Sequence, residues 1–194
     1  MKLKLIYLII FTVKVFGSGG YDHGTSAGKG NWDISLTWNP LNYFDQGQSY
    51  AILGYGLTNK MDFHAYYSSN KEGENNYYYG LFYQFLDSNY LDLATAMGVR
   101  RYIKQTDIHF FFPQLLYTIY LMGNTRLGGS FVDIRSQSLK DHKGTAVDVF
   151  LSQKIYDNKN MKIDFSIGGF LPVLWAPKSG KWHPTYSIDI SLKR

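Results

Sequence analysis

The sequence predicts an all-β protein: a closed antiparallel up-and-down β-barrel of about ten strands. Apolar and polar residues alternate repeatedly along the chain. In residues 31–38, NWDISLTW, the apolar residues from Trp32 onward are separated by Asp33, Ser35 and Thr37. This period of two is typical of a strand with one apolar face. No segment shows the 3.6-residue period of an amphipathic helix, and short and long connections alternate between the strands.

Ten segments carry the strand pattern. In chain order they are residues 31–38, 49–56, 60–68, 76–86, 90–101, 109–122, 126–135, 144–155, 160–169 and 185–193. Most have about the 9–11 residues that a tilted strand needs to cross a bilayer. The fourth and sixth are apolar on both faces, which fits a sandwich core or a barrel whose lumen is partly filled by rings. Pro113 interrupts the sixth and is compatible with a bulge or an edge.

The connections predict how the strands are ordered. Those after strands two, four, six and eight are short and rich in Asn, Asp or Gly, at residues 57–60, 87–89, 123–125 and 157–160. Such residues favour tight turns. The other connections are longer, at residues 39–49, 69–76, 101–107, 136–144 and 171–185. Because no crossover helix intervenes, neighbouring strands should pair antiparallel, with all the short turns at one end of the sheet.

The first thirty residues are not expected to belong to the barrel. Residues 1–17 combine Lys2 and Lys4 with the apolar run LIYLIIFTV, which is typical of a signal peptide. Residues 18–30 are rich in Gly and Ser and are predicted to form a flexible leader. The barrel domain is then residues 31–194. Cleavage after residue 17 removes three lysines, including Lys14, and lowers the formal net charge from +5 to +2.

Composition excludes several classes of function. Because most of the basic excess lies in the signal peptide, charge gives no argument for nucleic-acid binding. The chain has no cysteine, so it has no disulfide, thiol nucleophile or cysteine zinc site. Aromatic residues make up 18% of the chain, as do charged residues. The aromatic share is high, and aromatic side chains favour strands and water–lipid boundaries.

The alternation of short and long connections resembles that of bacterial outer-membrane β-barrels, which have short periplasmic turns and longer outer loops. Residues 55–68, YGLTNKMDFHAYYS, are also similar to a strand–turn–strand repeat of porin-like and transport barrels. The resemblance implies export to the outer membrane of a Gram-negative bacterium. It also implies contact with outer-membrane lipid, lipopolysaccharide and the outer-membrane assembly machinery.

A soluble barrel could show the same alternation with its apolar side turned inward. Aromatic residues gather near the predicted strand ends and aliphatic residues near the centres, which favours a lipid-facing surface. The polar faces would then line the lumen. The candidate lumen-lining residues are Asp33, Asp62, His64, Asp92, Arg100, Asp133, Arg135, Asp148, Asp164 and Asp189. They could form a cation-preferring constriction, or a structural salt-bridge network that fills a narrow barrel.

The function predicted is narrow, passive passage of small solutes or ions. The alternatives are a non-conducting surface protein whose loops contact lipopolysaccharide or a partner, and a soluble periplasmic ligand-binding barrel. Two Asp–His neighbours, Asp107 with His109 and Asp141 with His142, would suit activation of water, but no known catalytic motif accompanies them. The expectation is therefore no enzyme activity, no catalytic residue, no bound metal and no cofactor.

Overall fold

The predicted fold class is confirmed. The computed structural model describes residues 23–39, 48–70, 75–104, 106–139, 143–172 and 180–194. Each of the ten strands pairs antiparallel with its chain neighbours, and β1 pairs with β10 to close the barrel. The strands are β1 Trp32–Asn39, β2 Gln48–Gly56, β3 Met61–Asn70, β4 Asn76–Leu86, β5 Leu91–Tyr102, β6 Ile108–Tyr120, β7 Thr125–Ser136, β8 Lys143–Asp157, β9 Met161–Leu171 and β10 His183–Leu192.

The two ends of the barrel differ as the sequence predicts. The turn end carries the short connections at residues 57–60, 87–90, 121–124 and 158–160. The loop end carries the connections at residues 40–47, 71–75, 103–107, 137–142 and 172–182. All five of these connections are shorter than predicted, because the strands that flank them extend further than the sequence pattern indicates. The predicted signal peptide, residues 1–17, lies outside the described residues, in which no helix is long and apolar enough to span a membrane.

Side-chain oxygens close the tight turns. The Thr58 hydroxyl accepts hydrogen bonds from the backbone N–H groups of Lys60 and Met61, at 3.1 and 2.9 Å. The Asn158 side-chain oxygen accepts from the N–H groups of Asn160 and Met161 at 2.9 and 2.7 Å. These bonds satisfy backbone donors that the strand ladder leaves unused, which explains why Thr and Asn occupy these turns.

The large apolar side chains point away from the barrel axis. Leu36 and Trp38 of β1 retain 53% and 54% of their surface, and Ile188 of β10 retains 45%. Aromatic pairs flank this aliphatic band. Trp32 and Tyr55 have ring centroids 4.6 Å apart near the turn end, and Trp38 and Tyr186 lie 6.3 Å apart near the loop end. An apolar outer wall with aromatic residues at both edges is the surface that a barrel presents to lipid.

The inward faces of β4 to β6 carry large apolar side chains at mid-height, which explains why the fourth and sixth strands look apolar on both sides in the sequence. Phe82, Ala94, Ala96 and Leu116 form one buried cluster across the middle of this wall. A second cluster lies nearer the loop end and contains Tyr78, Phe111, Val132, Ile134 and Ala146. The lumen is therefore partly filled by packed side chains.

Backbone irregularities accommodate these bulky groups. Pro113 lies between Phe111 and Gln114, where the pairing of β6 with β7 shifts register. Gly98 lies beside another shift, and a Cβ there would come within 2.2 Å of the Tyr78 ring. Only glycine leaves that space for the tyrosine.

The outward direction of the apolar face predicts a depth-dependent effect of charge. Ile188→Arg, near the centre of β10, should cost about 2–4 kcal/mol of folding free energy, because it places a cation against hydrocarbon. Leu192→Arg, at the turn end of the same strand, should cost about 0–1 kcal/mol. Denaturant titration of folding into phospholipid vesicles measures both. Equal costs would contradict a membrane-facing outer wall.

Candidate functional site: the barrel lumen

Most of the charged residues predicted to line the lumen lie on inward faces. Six of these side chains are buried: Asp62, His64, Asp92, Arg100, Asp148 and Asp164. Asp33 and Asp189 are half-buried and line a cavity next to β1 and β10. The structure therefore brings residues from six of the strands toward one interior.

Asp133 and Arg135 are exceptions that the structure corrects. Their neighbours Val132 and Ile134 are the inward residues of β7, buried in the loop-end apolar cluster. The carboxylate of Asp133 instead forms an ion pair with Arg135 on the outer side, at 2.6 Å, and the Arg135 side chain is 60% exposed. The polar and apolar faces of β7 are thus reversed near the loop end, because the interior there is apolar.

An N-terminal segment occupies the turn end of the lumen. Asp62 accepts hydrogen bonds from the Ser26 hydroxyl at 2.7 Å and the Ala27 N–H at 2.8 Å. Asp92 accepts one from the Thr25 hydroxyl at 2.7 Å. Further bonds run from the Ser26 N–H to Gln84 and from the Gly24 N–H to Thr118, at 2.8 and 3.0 Å. We call residues 23–27 the N-terminal plug.

The plug departs from the flexible leader predicted over residues 18–30. Two glycines with φ of 80°, Gly28 and Gly30, turn the chain from the plug into β1. The Gly30 N–H donates to the Gly56 carbonyl at 2.8 Å, and a Cβ on Gly56 would come within 1.8 Å of Gly28. The small residues that suggested mobility in the sequence serve here to fit the segment against the barrel wall.

A charged cluster lies beside the plug. Asp164 of β9 forms ion pairs with Arg126 at 2.7 Å and Lys162 at 3.2 Å. Asp189, opposite Asp164 on β10, accepts a hydrogen bond from the Ser166 hydroxyl at 2.8 Å. The cluster and the plug enclose a cavity of about 190 Å³. Burial lowers the pKa of plug residue His23, which faces these charges, so its imidazole is neutral at pH 7.

A polar strip runs along the wall opposite the apolar clusters. We call it the polar ribbon, and it comprises the inward residues His183, Thr185, Ser187, Asp189 and Ser191 of β10 with Asp33, Ser35 and Thr37 of β1. It runs from the turn-end cavity toward the loop end. Thr37, Thr185 and Ser187, on the loop-end half of the ribbon, are buried at 3%, 1% and 7% exposure.

The loop end of the lumen is held by a second network. Arg100 donates to Nδ1 of His109 at 2.8 Å. Because arginine only donates, His109 carries its proton on Nε2 and donates it to Asp107 at 3.0 Å. Burial acts against ionisation of Asp107, but hydrogen bonds from Ser136 and Ser138 lower its pKa below the ordinary value. A cavity of about 60 Å³ lies beneath, between Arg100 and Asp148.

Both ring nitrogens of His109 are thus engaged in hydrogen bonds with side chains. The other predicted neighbours, Asp141 and His142, lie outside the described residues. Within the described part of the chain, no three His, Asp or Glu side chains are grouped to hold a metal ion.

Sequence reasoning missed the groups that hold the plug. Gln84 is the one polar residue with an inward side chain at the turn end of β4, in the otherwise apolar stretch YYYGLFYQF. The sequence does carry one signal for the plug site: Gln84 is polar at a position where the alternation predicts an inward apolar side chain. Nothing in the local pattern around Thr25 or Ser26 pointed to a partner, because these contacts join residues far apart in the chain.

Comparison with known proteins agrees with the barrel architecture. A KdgM porin in complex with disordered oligogalacturonate aligns with a TM-score of 0.51 and 8% identity, over 84% of this chain and 99% of that one. The chain has the fold of outer-membrane β-barrels. The N-terminal barrel domain of Pseudomonas aeruginosa OprF aligns with a TM-score of 0.36 and 13% identity, over 85% of this chain and 98% of that domain. No protein-family model and no curated protein sequence matches.

The inward and outward carboxylates should respond differently to neutralisation. Asp164→Asn leaves Arg126 and Lys162 inside the barrel without their anion, and should cost about 3–5 kcal/mol of unfolding free energy. Asp133→Asn, which removes an exposed ion pair on the outer wall, should cost about 0–1 kcal/mol. Denaturant unfolding in detergent micelles compares the two variants. Similar losses would contradict the assignment of their faces.

Proposed function

We propose that the protein is a narrow passive channel for small polar solutes or ions in the outer membrane of a Gram-negative bacterium. The observation that carries this proposal is the polar ribbon. On β10 every inward side chain from His183 to Ser191 is polar, and on the adjoining β1 the inward Asp33, Ser35 and Thr37 continue the strip. A barrel stabilised only by packing would have no need of a hydrophilic strip along its whole inner length.

The path along the ribbon is narrow. The apolar clusters on β4 to β7 fill the opposite side of the lumen, and the described residues line cavities of about 190 and 60 Å³. The hydroxyls of Thr37, Thr185 and Ser187 lie between the two ends. These dimensions support selective passage of small solutes, and oppose a wide general porin.

The charges along the path favour cations. Asp164 is paired with both Arg126 and Lys162, whose two positive charges exceed its single negative charge by one. Asp189 receives only hydroxyl donors, from Ser166 and Ser187 at 2.8 and 3.3 Å, and within the described residues Asp33 has no ion-pair partner. Rings of carboxylates attract cations. The two carboxylates disfavour an acidic solute such as the oligogalacturonate of the KdgM complex.

A non-conducting outer-membrane protein is the second candidate. The observation that favours it is the filling of the lumen: Phe82 and Leu116 are 1% and 0% exposed at mid-height, and the plug occupies the turn end. The exposed Lys181 and Trp182 at the loop end would then contact lipopolysaccharide or a partner. This surface and the assembly machinery, which must insert any such barrel, are the proposed partners besides the solute. Neither candidate is an enzyme.

Planar-bilayer recording tests the proposal and its ion preference. The purified barrel should give small, cation-preferring conductance steps. Asp33→Asn and Asp189→Asn should each move the reversal potential in a salt gradient toward zero, because each removes a carboxylate from the path. Asp133→Asn, on the outer wall, is the matched control and should leave it unchanged. A permanently sealed bilayer would favour the non-conducting alternative.

A further variant tests the width of the path. Phe150 borders the turn-end cavity, and its ring lies against Gly128, where a Cβ would come within 2.1 Å of the ring. Gly128→Ala should therefore push the ring into the lumen and reduce conductance. Adding Phe150→Val should restore conductance, because the smaller side chain frees the space that the new methyl group occupies. A conductance unaffected by Gly128→Ala would place the path elsewhere.

A further inference from the structure

We propose that the N-terminal plug, residues 23–27, is a displaceable gate on the turn-end mouth of the lumen. This inference rests on the proposed channel function and adds its regulation. The segment enters at the same end as the short turns, and together with the charged cluster it bounds the turn-end cavity. When the plug is in place, it narrows that mouth to the space beside the polar ribbon.

Residues 24–27 hold the plug to one wall by hydrogen bonds, whereas His23 faces Asp33 and Asp189 on the other side. Its hydrogen-bond acceptors are Asp62 of β3, Gln84 of β4, Asp92 of β5 and Thr118 of β6, which are consecutive strands. The polar ribbon lies on the opposite side, on β10 and β1. Displacement of the plug therefore enlarges the space in front of the ribbon without breaking any contact between the strands that close the barrel.

The attachment is chemically suited to release. Gly24, Thr25, Ser26 and Ala27 carry small side chains, so they bury little apolar surface, and their fixed contacts are mainly hydrogen bonds to carboxylate, amide and hydroxyl oxygens. Water can replace such bonds once the segment leaves, because the acceptors then face an aqueous lumen. The strand ladder, by contrast, has no other source of partners within lipid.

A boundary between plug and barrel is built into the chain. Gly28 and Gly30 both have φ of 80°, a conformation that glycine adopts without strain. Beyond them the chain is fastened to the barrel, because the Gly56 N–H donates to the Asn31 carbonyl at 3.1 Å. The plug can thus swing about Gly28 while Gly30 stays bonded to Gly56 and β1 stays paired.

Release changes charge as well as width. With the plug in place, Asp62 and Asp92 are 0% and 1% exposed, and each accepts hydrogen bonds from plug residues. Departure of the plug exposes both carboxylates to the lumen at its mouth. The open channel should therefore show a larger conductance and a stronger cation preference than the plugged one.

The absence of cysteine from the chain allows a direct experiment. The first variant lacks residues 23–27. The second carries Ser26→Cys with Gln84→Cys, bridged by a short bis-methanethiosulfonate reagent, which forms a reducible disulfide with each thiol and releases sulfinate. The bridge holds the plug while Asp62 and Asp92 remain. The two single-cysteine variants treated with the same reagent are the controls. Heat-modifiable migration in gels verifies that each barrel is folded.

The gate predicts opposite effects of these two changes. Deletion should raise single-channel conductance several-fold and shift the reversal potential toward that of a cation-selective pore. The bridge should reduce conductance below that of the single-cysteine controls, and reductive cleavage should restore it. If the untreated barrel conducts but neither deletion nor bridging changes its conductance, the gate is overturned while the channel stands.

If no variant conducts, the channel proposal is wrong. A second measurement then still tests whether the plug moves. A cysteine introduced by Ser26→Cys should react with a water-soluble thiol reagent in the folded barrel, and adding Asp62→Asn should accelerate the reaction several-fold, because the plug then spends more time outside. Asp133→Asn is the matched control and should not change the rate. A cysteine that reacts only after unfolding, with or without Asp62→Asn, would show that the plug is a fixed part of the barrel.

Discussion

Closure of the hydrogen-bonded sheet is the constraint on which the rest of the structure depends. β1 pairs with β10 over the seven residue pairs from Trp32–Leu192 to Trp38–Tyr186, so no strand presents an open edge. Backbone groups that face hydrocarbon have no water to bond with, and only a closed sheet satisfies them. Once the sheet is closed, each side chain points either toward lipid or toward the enclosed interior. The outer wall takes the apolar residues, and the interior must accommodate nearly everything polar.

The interior meets this demand in two ways. On the β4 to β6 side, packed rings and small residues exclude water, and glycines such as Gly98 make room for the largest rings. On the β9, β10 and β1 side, charges and hydroxyls satisfy one another, as Asp164 does with Arg126 and Lys162. An uncompensated charge in such an interior would be costly. The division into an apolar and a polar side therefore confines any solute path to one wall of the lumen.

The plug connects these requirements to function. Asp62 and Asp92 project from the apolar side, and plug hydroxyl and backbone groups donate hydrogen bonds to them. A peptide segment thus satisfies two buried carboxylates and narrows the mouth at the same time. The same contacts explain why carboxylates occur on a wall that is otherwise packed with rings and methyl groups.

The barrel itself could be read from local patterns. The period of two, the turn residues and the alternation of connection lengths are properties of neighbouring residues, and they suffice for the strand count, the antiparallel order and the direction of the apolar face in β1. The bulges and the lengths of individual strands were harder to predict from the sequence, because they depend on which side chains meet across the sheet. Pro113 indicated an irregularity, but only the register of β6 against β7 located it.

The lumen was only partly determined by sequence. Alternation placed Asp33, Asp62, Asp92 and Asp164 inward, but it failed for Asp133 and Arg135, because Val132 and Ile134 have an apolar interior to pack against. The plug was inaccessible for a stronger reason: its hydrogen bonds join residues 24–27 to positions that lie 35 to 94 residues further along the chain. Sequence by itself thus determined that a barrel closes and where its lipid-facing surface lies. Tertiary structure alone decided what fills the barrel, because contacts across the lumen leave no periodic trace in any single strand.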